Sequence, residues 1–262
     1  MTITASCYSG CGNDFLIIDD REQWFPEHDA VFISKLCKEY GNVDGCILAR
    51  RSYLADYQML YFNNDGRSAA MCGNGVRSFM KYLKEKLHFP KEKCSIEIGT
   101  RLLQVALVGP DVRVEMGRVQ ELGWNIQLPF DECLWTLHYL NSGVPHLVTI
   151  VDDVAVIPVE KIGAYFRHHP QFQPAGANVN FIEMGTNKIR TFERGVEAET
   201  LACGTGVTAT AWALHKLHLV PLPIRLQVRS QEWLEIDIKN DIAIMTGPAT
   251  WIQDYDLTSS CR

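Results

Sequence analysis

The chain has 262 residues, of which 47% are hydrophobic and 21% charged, and its formal net charge is −6. That length can bury a sizeable core, in one large domain or in two smaller ones, and the composition is ordinary for a soluble globular protein. The net negative charge argues against non-specific nucleic-acid binding, which requires a basic surface. The sequence contains no run of about 18 apolar residues, so we predict no membrane span.

The first half of the chain alternates predicted strands with two predicted helices. Residues 1–9 contain no lysine or arginine, so we expect no signal peptide and a cytoplasmic protein. Strands are predicted at residues 2–6 and 15–19, on either side of a glycine-rich turn. Apolar residues from Ile33 to Tyr40 recur at helical spacing until Gly41, which predicts a helix. The later elements are strands at 46–49 and 57–62, a helix after residue 72, and a hairpin of residues 102–108 and 112–116.

The second half repeats this order of elements. Its predicted elements are strands at 134–140 and 147–151, a short helix around 159–166, a hairpin of residues 178–183 and 188–192, a helix after residue 203, and strands at 234–238 and 242–246.

A short motif occurs twice, as Cys-Gly-Asn-Gly-Val from Cys72 and as Cys-Gly-Thr-Gly-Val from Cys203. The two cysteines are 131 residues apart, which is half of the chain, and the same offset relates Leu16 to Leu147. A fixed offset indicates duplicated architecture. We therefore predict an α+β fold of two similar halves, residues 1–118 and 119–262, with a boundary near residues 119–129 and with the last residues allowed to return to the first half.

Each cysteine of the repeated motif precedes a glycine and the first turn of a predicted helix. The amides and the dipole of a helix N-terminus attract an anion such as a carboxylate, and the same field lowers a cysteine pKa from about 8.5 toward neutrality. Cys72 and Cys203 are therefore candidates for acid–base chemistry. If the two sites face each other, one thiolate can remove an α-proton while the other thiol returns a proton on the opposite face, without pyridoxal phosphate.

Other interpretations of these residues are structural or nucleotide-binding. A single Cys-Gly-x-Gly sequence is a weak signal, because buried structural cysteines are common. The nine cysteines are odd in number and contain no C-x-x-C pair, so we predict neither a disulfide framework nor a metal site. Residues 204–209 fit the G-x-G-x-x-A pattern of dinucleotide sites, but residues 199–202 make a poor buried strand and no acid follows about 20 residues later.

Several segments together resemble the diaminopimelate epimerases. Residues 62–66 (FNNDG) and 72–77 (CGNGVR) are similar to that family's first-half motif, and residues 192–206 (FERGVEAETLACGTG) to its second-half motif. The resemblance implies two pseudo-symmetric halves, each a mostly antiparallel sheet wrapped around a central helix, with the site in the cleft between them. It also implies cofactor-free interconversion of LL- and meso-2,6-diaminopimelate by a cytosolic homodimer, in lysine and peptidoglycan precursor synthesis.

The same resemblance implies a role for each matching residue. Cys72 and Cys203 would be the base and the acid, and His146 would tune their protonation. Glu193 and Arg194 would hold the reacting centre and the remote carboxylate respectively, or share these two tasks. The residues that would bind the substrate are Asn13, Asn63, Gly73, Asn74, Asn178, Glu193, Arg194, Gly204 and Thr205.

One position departs from the family pattern. The family usually has Gly-Asn-Pro-His where this chain has Gly143-Val-Pro-His146, so a substrate-binding amide is missing at Val144. Asn141 is a candidate to replace that amide. The alternative hypothesis is a racemase of broader specificity, acting on glutamate or of the proline racemase type.

Two further alternatives concern the class of protein. Phenazine-type isomerases have a similar fold but do not keep both cysteines, whereas this chain has both. A cleft protein that binds an amino acid without converting it is the non-enzymatic alternative, and substitution of the two cysteines distinguishes it from an epimerase.

Overall fold

The computed structural model describes residues 3–68 and 72–258. Its helices are α1 (Ala30–Glu39), α2 (Gly73–Glu85), α3 (Val159–His168) and α4 (Gly204–Lys216). Its strands are β1 (Thr4–Gly10), β2 (Asn13–Asp19), β3 (Gly45–Arg50), β4 (Tyr57–Asn63), β5 (Lys93–Ile98), β6 (Arg101–Val108), β7 (Asp111–Gly117), β8 (Gln120–Phe130), β9 (Cys133–Asn141), β10 (Pro145–Val151), β11 (Asn178–Glu183), β12 (Lys188–Glu193), β13 (Ala198–Thr200), β14 (Ile224–Gln227), β15 (Trp233–Lys239), β16 (Ile242–Gly247) and β17 (Thr250–Asp256).

The chain forms two compact units. The first contains the described residues up to Val114 together with those from Gly247 onward, and the second runs from Glu115 to Thr246. The division between these units falls between Val114 and Glu115, and most of residues 119–129 belong to β8. The predicted halves, residues 1–118 and 119–262, allowed the last residues to return to the first half, and β17 pairs with β1 of the first unit.

The first unit is a mostly antiparallel sheet packed around α2. Its strands pair in the order β17, β1, β2, β3, β4, β5, β6, and only the β2–β3 and β4–β5 pairs of this series are parallel. Helix α2 contacts β1, β2, β3, β6 and β17. Its residues from Gly73 to Met80 are all buried, so this helix is the centre of the unit and carries Cys72 at its N-terminus.

The second unit repeats the same topology around α4. Strands β8, β9, β10, β11 and β12 pair in order, followed by β14 and β15, and the β10–β11 and β12–β14 pairs are parallel. Helix α4 contacts β9, β10, β11, β14 and β15 and is buried from Gly206 to Leu214. The predicted α+β class, with similar halves that each surround a central helix, is confirmed.

The sequence predicted the two long helices and most of the strands. Strands β1 and β2, strands β9 and β10, the two long helices and the hairpin of β11 and β12 overlap the elements that the sequence predicts. Thr2 of the first predicted strand lies outside the described residues. Strands β5, β8, β13, β14 and β17 were not predicted. Strands β8 and β17 are largely exposed, and the pairing of β8 with β9 shifts register at Glu121 and Gly123.

Each unit buries its own apolar core. In the first, the buried face of α1, namely Ile33, Leu36 and Cys37, packs with residues of β1, β2 and β3. In the second, the buried face of α3 packs with residues of β10, β11 and β12. No helix in the part of the chain that the structure describes is both long enough and apolar enough to cross a membrane.

Candidate active site

Cys72 is the N-cap residue of α2. Its backbone is extended (φ −137°, ψ 110°), and its Sγ accepts a hydrogen bond from the Gly75 N–H at 3.4 Å. The side chain therefore lies at the positive end of a 13-residue helix, where a thiolate or a bound carboxylate is stabilised. The prediction of a cysteine at a helix N-terminus is confirmed for this copy of the motif.

Asn74 and Asn13 lie together at this helix N-terminus. Asn74 is 2% exposed, and its Nδ2 donates to Asn13 Oδ1. Asn13 Nδ2 in turn donates to Asp44 Oδ2 at 3.4 Å, and the same oxygen accepts from the Asp14 N–H at 2.9 Å. Two of the predicted substrate-binding amides, Asn13 and Asn74, thus connect the start of β2 with the start of α2.

Arg77 fixes the orientation of the Asn74 side chain, a role that the sequence did not indicate. It is fully buried, and its Nη2 donates to Asn74 Oδ1 at 3.0 Å and to Cys11 Sγ at 3.1 Å. Its Nε donates to the Pro248 carbonyl at 3.0 Å. Because Asn74 Oδ1 accepts from the guanidinium, Asn74 Nδ2 is the atom directed toward Asn13.

Asn63 is exposed at the end of β4 and closes the turn that follows. Its N–H donates to the Arg67 carbonyl, and its carbonyl accepts from the Gly66 N–H, each at 2.9 Å. The next residue, Asn64, donates its N–H to the Asp44 carbonyl at 3.0 Å. Asp44 therefore links this turn with Asn13, and it was not among the predicted site residues.

Cys203 is the N-cap residue of α4 and has the same extended backbone as Cys72, with φ −124° and ψ 103°. It is 6% exposed, and its Sγ lies 3.4 Å from Thr205 Oγ1. The Thr205 carbonyl accepts from Ser142 Oγ at 2.7 Å, which ties the start of α4 to the turn before β10. The second copy of the motif therefore also places its cysteine at a helix N-terminus.

His146 is fully buried on β10 beside this helix end. Its Nε2 lies 3.0 Å from Thr205 Oγ1, and its Nδ1 lies 3.1 Å from Asn180 Nδ2. Burial, with a smaller contribution from the positive charge of Arg194, lowers the pKa of His146 from 6.5 to about 3. His146 is therefore neutral at physiological pH.

Asn178 and Arg194 extend the cluster around His146. Asn178 Oδ1 accepts from the Arg194 N–H at 2.7 Å, and its Nδ2 lies 3.3 Å from His146 Nε2. The Arg194 guanidinium donates to the Ala175 carbonyl at 3.0 Å. Glu193, the preceding residue, accepts from Thr200 Oγ1 at 3.0 Å. The structure thus joins five of the predicted residues of this unit, Cys203, Thr205, His146, Asn178 and Arg194, through a continuous series of contacts.

Asn180 and Thr191 belong to the same cluster and were missed. Asn180 is fully buried on β11 and accepts from Thr191 Oγ1 at 3.0 Å. The available signal was a polar residue between Val179 and Phe181 within an otherwise buried strand. Such a residue requires buried hydrogen-bond partners.

Val144 lies half-buried at the turn before β10 and occupies the repeat position of Asn13. Asn141 Oδ1 accepts from the Gly143 N–H at 3.0 Å, so this oxygen stabilises the turn. Asn141 therefore has a structural role at the place where a second substrate-binding amide was sought.

Comparisons with known proteins identify similar chains over nearly the full length. The family model described as diaminopimelate epimerase matches residues 5–122 and 138–252. A diaminopimelate epimerase of Hydrogenobaculum sp. is 36% identical over 260 residues, covering 93% of this chain and 94% of the relative. A diaminopimelate epimerase of Flavobacterium psychrophilum is 38% identical over 259 residues, covering 94% of this chain and 96% of the relative.

A solved structure supports the fold assignment. A phenazine biosynthesis protein of the PhzF family from Enterococcus faecalis superimposes with a TM-score of 0.74 and 14% identity, covering 97% of this chain and 98% of that one. At this identity the match describes the fold alone.

Proposed function

The chain belongs to the diaminopimelate epimerase family, and on that premise we propose that it interconverts LL- and meso-2,6-diaminopimelate without an added cofactor. The observation that carries the proposal is the repeated helix N-terminus with a cysteine as its N-cap, at Cys72 and again at Cys203. Two thiols are what the reaction needs, because inversion requires a base that removes the α-proton and an acid that returns one.

Each helix N-terminus supplies what the reacting group requires. The carbanion formed beside a carboxylate carries concentrated negative charge, and amides with a helix dipole stabilise such charge without reorganisation. We assign this role to the amides of Gly73 and Asn74 in the first unit and of Gly204 and Thr205 in the second. Asn13, Asn63, Asn178, Glu193 and Arg194 are proposed to bind the remaining polar groups of the substrate.

Turnover with solvent exchange tests the proposal. The purified protein is incubated in heavy water with LL-diaminopimelate under reducing conditions and without cofactor, and α-deuterium incorporation and meso product are followed by NMR. We expect both in the wild type and a loss of at least about a hundredfold in Cys72→Ser and Cys203→Ser, since a positioned acid or base contributes about 10²–10⁴-fold.

The exposed Cys133 provides the matched control. Cys133→Ser removes a thiol of the same chain outside the repeated motif and should keep wild-type turnover. Turnover that survives both Cys72→Ser and Cys203→Ser would contradict the two-thiol assignment. Binding of diaminopimelate by the wild type without any exchange would instead support an amino-acid binding protein.

Val144 favours a second candidate, which is broader substrate specificity. A half-buried valine stands where the family usually has an amide, and the oxygen of Asn141 is engaged in the turn. We propose that contacts to the distal amino-acid group of the substrate are reduced. An exchange assay with glutamate and proline beside diaminopimelate tests this, with Val144→Asn as the comparison. Strict confinement of exchange to diaminopimelate in the wild type contradicts it.

The proposals of a homodimer and of a cytoplasmic location have family resemblance as their support. Sedimentation equilibrium of the purified chain tests the oligomeric state, and cell fractionation tests the location.

A further inference from the structure

The orientation of the buried Asn180 side chain is determined by its partners. One terminal atom lies 2.9 Å from the Leu147 carbonyl, which can only accept, so that atom is Nδ2. The other terminal atom is then Oδ1, and it accepts from Thr191 Oγ1 at 3.0 Å. The second hydrogen of Nδ2 is directed to His146 Nδ1 at 3.1 Å.

This arrangement fixes the tautomer of His146. Its Nδ1 faces a donor and therefore carries the lone pair. A neutral imidazole then has its proton on Nε2, and Thr205 Oγ1 is the acceptor at 3.0 Å. Asn178 Oδ1 accepts from the Arg194 N–H at 2.7 Å, so its Nδ2 is a second donor, and it lies 3.3 Å from His146 Nε2. Thr205 Oγ1 is the nearer partner of Nε2, at 3.0 Å, and Asn180 Nδ2 lies 3.1 Å from Nδ1. The shorter contact at each nitrogen therefore places the proton on Nε2.

The Thr205 hydroxyl accepts from His146 and has its own hydrogen to donate, and Cys203 Sγ lies 3.4 Å away. We infer that Thr191, Asn180 and His146 form a hydrogen-bond relay of fixed direction, which makes the Thr205 hydroxyl a donor to the Cys203 sulfur. Thr191 and Asn180 are positioning residues in this relay. The inference rests on the proposed function in so far as Cys203 exchanges a proton with substrate.

The equivalent positions of the first unit are apolar. Leu16 of the first unit corresponds to Leu147 of the second in the repeat. Counted from these two residues along the parallel pairs β2–β3 and β10–β11, Phe15 is equivalent to His146 and Ile47 is equivalent to Asn180. Phe15 and Ile47 are 1% and 0% exposed. The same topology is thus built with apolar side chains in these places.

Buried polar groups cost free energy unless all are hydrogen-bonded. The fold does not require a polar pair at these positions, as the first unit shows. The polar pair of the second unit is therefore assigned to the chemistry of the adjacent cysteine.

Two measurements test the relay without requiring turnover. In protein with ¹⁵N-labelled histidine, the ring nitrogens of His146, assigned by comparison with His146→Gln, should show protonated Nε2 and unprotonated Nδ1. In a second experiment, Cys203 alkylation by iodoacetamide at pH 7 is quantified by mass spectrometry of its peptide. Thr205→Val should slow it about tenfold, the effect of one hydrogen bond to a charged group, and Thr205→Ser should restore it.

Matched variants separate the relay from a general loss of structure. Thr210→Val makes the same substitution further along α4 and should keep the wild-type alkylation rate. Asn180→Asp replaces the donor beside Nδ1 by an acceptor and should move the ring proton to Nδ1. A wild-type ring proton on Nδ1, or wild-type alkylation of Thr205→Val, overturns the relay. Because neither readout uses diaminopimelate, absence of turnover in the wild type would count only against the proposed function.

Discussion

Replacing Gly206 by alanine introduces a methyl group 2.3 Å from Asn180 Oδ1. A carbon and an oxygen cannot remain that close, so the short Asn180 side chain must move. It is fully buried and holds three hydrogen bonds, to Thr191, Leu147 and His146. There is no solvent beside it to replace those partners.

The size of the effect follows from these contacts. Each buried hydrogen bond contributes about 1 kcal/mol, and a buried polar group left without a partner costs about 1–3 kcal/mol. Alanine in a helix recovers at most about 1 kcal/mol relative to glycine. We therefore expect Gly206→Ala to lower the free energy of unfolding by about 2–4 kcal/mol and to reduce turnover, since it displaces the relay that ends at Cys203.

Gly75 is the matched control, because it holds the same place in the first copy of the motif. A Cβ there meets the terminal atoms of Ile47 and Met59 at 3.2 and 3.3 Å, and these flexible apolar ends can shift. We expect Gly75→Ala to change stability by no more than about 1 kcal/mol. Urea unfolding of both variants measures the difference. Equal stability of the two variants would refute the claim that Asn180 is held rigidly against α4.

Three further predictions concern buried polar groups. Thr210 Oγ1 is buried with no hydrogen-bond partner among the described residues, so Thr210→Val should raise the free energy of unfolding by about 1 kcal/mol in urea titrations. The folded-state pKa of His146 is lowered to about 3, so its contribution to stability is present above pH 6.5 and is lost as the pH falls toward 3. The urea midpoint of the wild type should fall over that pH range, and the midpoint of His146→Gln should fall less. The Glu199 side chain is 4% exposed and binds Arg190 through two contacts of 2.7 Å. Glu199→Gln should therefore lower the free energy of unfolding by about 2 kcal/mol in thermal unfolding, whereas the same substitution at the exposed Glu22 should leave it unchanged.

The sequence predicted the long central helices and most of the strands because their signals are local, but it missed β5 and β14, which each pair with a strand on both sides. The helix after Cys72 has its apolar face spaced at helical intervals, and β15 alternates apolar and polar residues between Trp233 and Lys239. Strand β17 lacks such a signal, since its residues are exposed and only its pairing with β1 makes it a strand. The two strands are far apart along the chain, so the sequence allowed a return of the last residues to the first half but did not locate the strand that makes it.

Sequence analysis could propose only those candidate site residues that belong to a recognisable motif. Cys72 and Cys203 follow from the repeat itself, whereas Asn180, Thr191 and Arg77 act on other side chains through contacts that only the folded chain brings together. A buried arginine such as Arg77 is indistinguishable in sequence from a charged residue on an exposed helix face. The energetic reason for its burial, hydrogen bonds to Pro248 and Asn74, involves a partner far away in the chain.

The two cysteines have equivalent places but different donors. Cys72 accepts from the Gly75 N–H of its own helix, so that environment follows from backbone geometry. Cys203 lies beside a hydroxyl whose direction depends on His146 and residues behind it. A two-thiol reaction starts from one thiolate and one thiol, so the reaction treats the two sulfurs differently in each direction. The repeat gives the sulfurs equivalent places, and the contacts distinguish them: a backbone amide of its own helix donates to Cys72, and the Thr205 hydroxyl of the proposed relay is directed to Cys203.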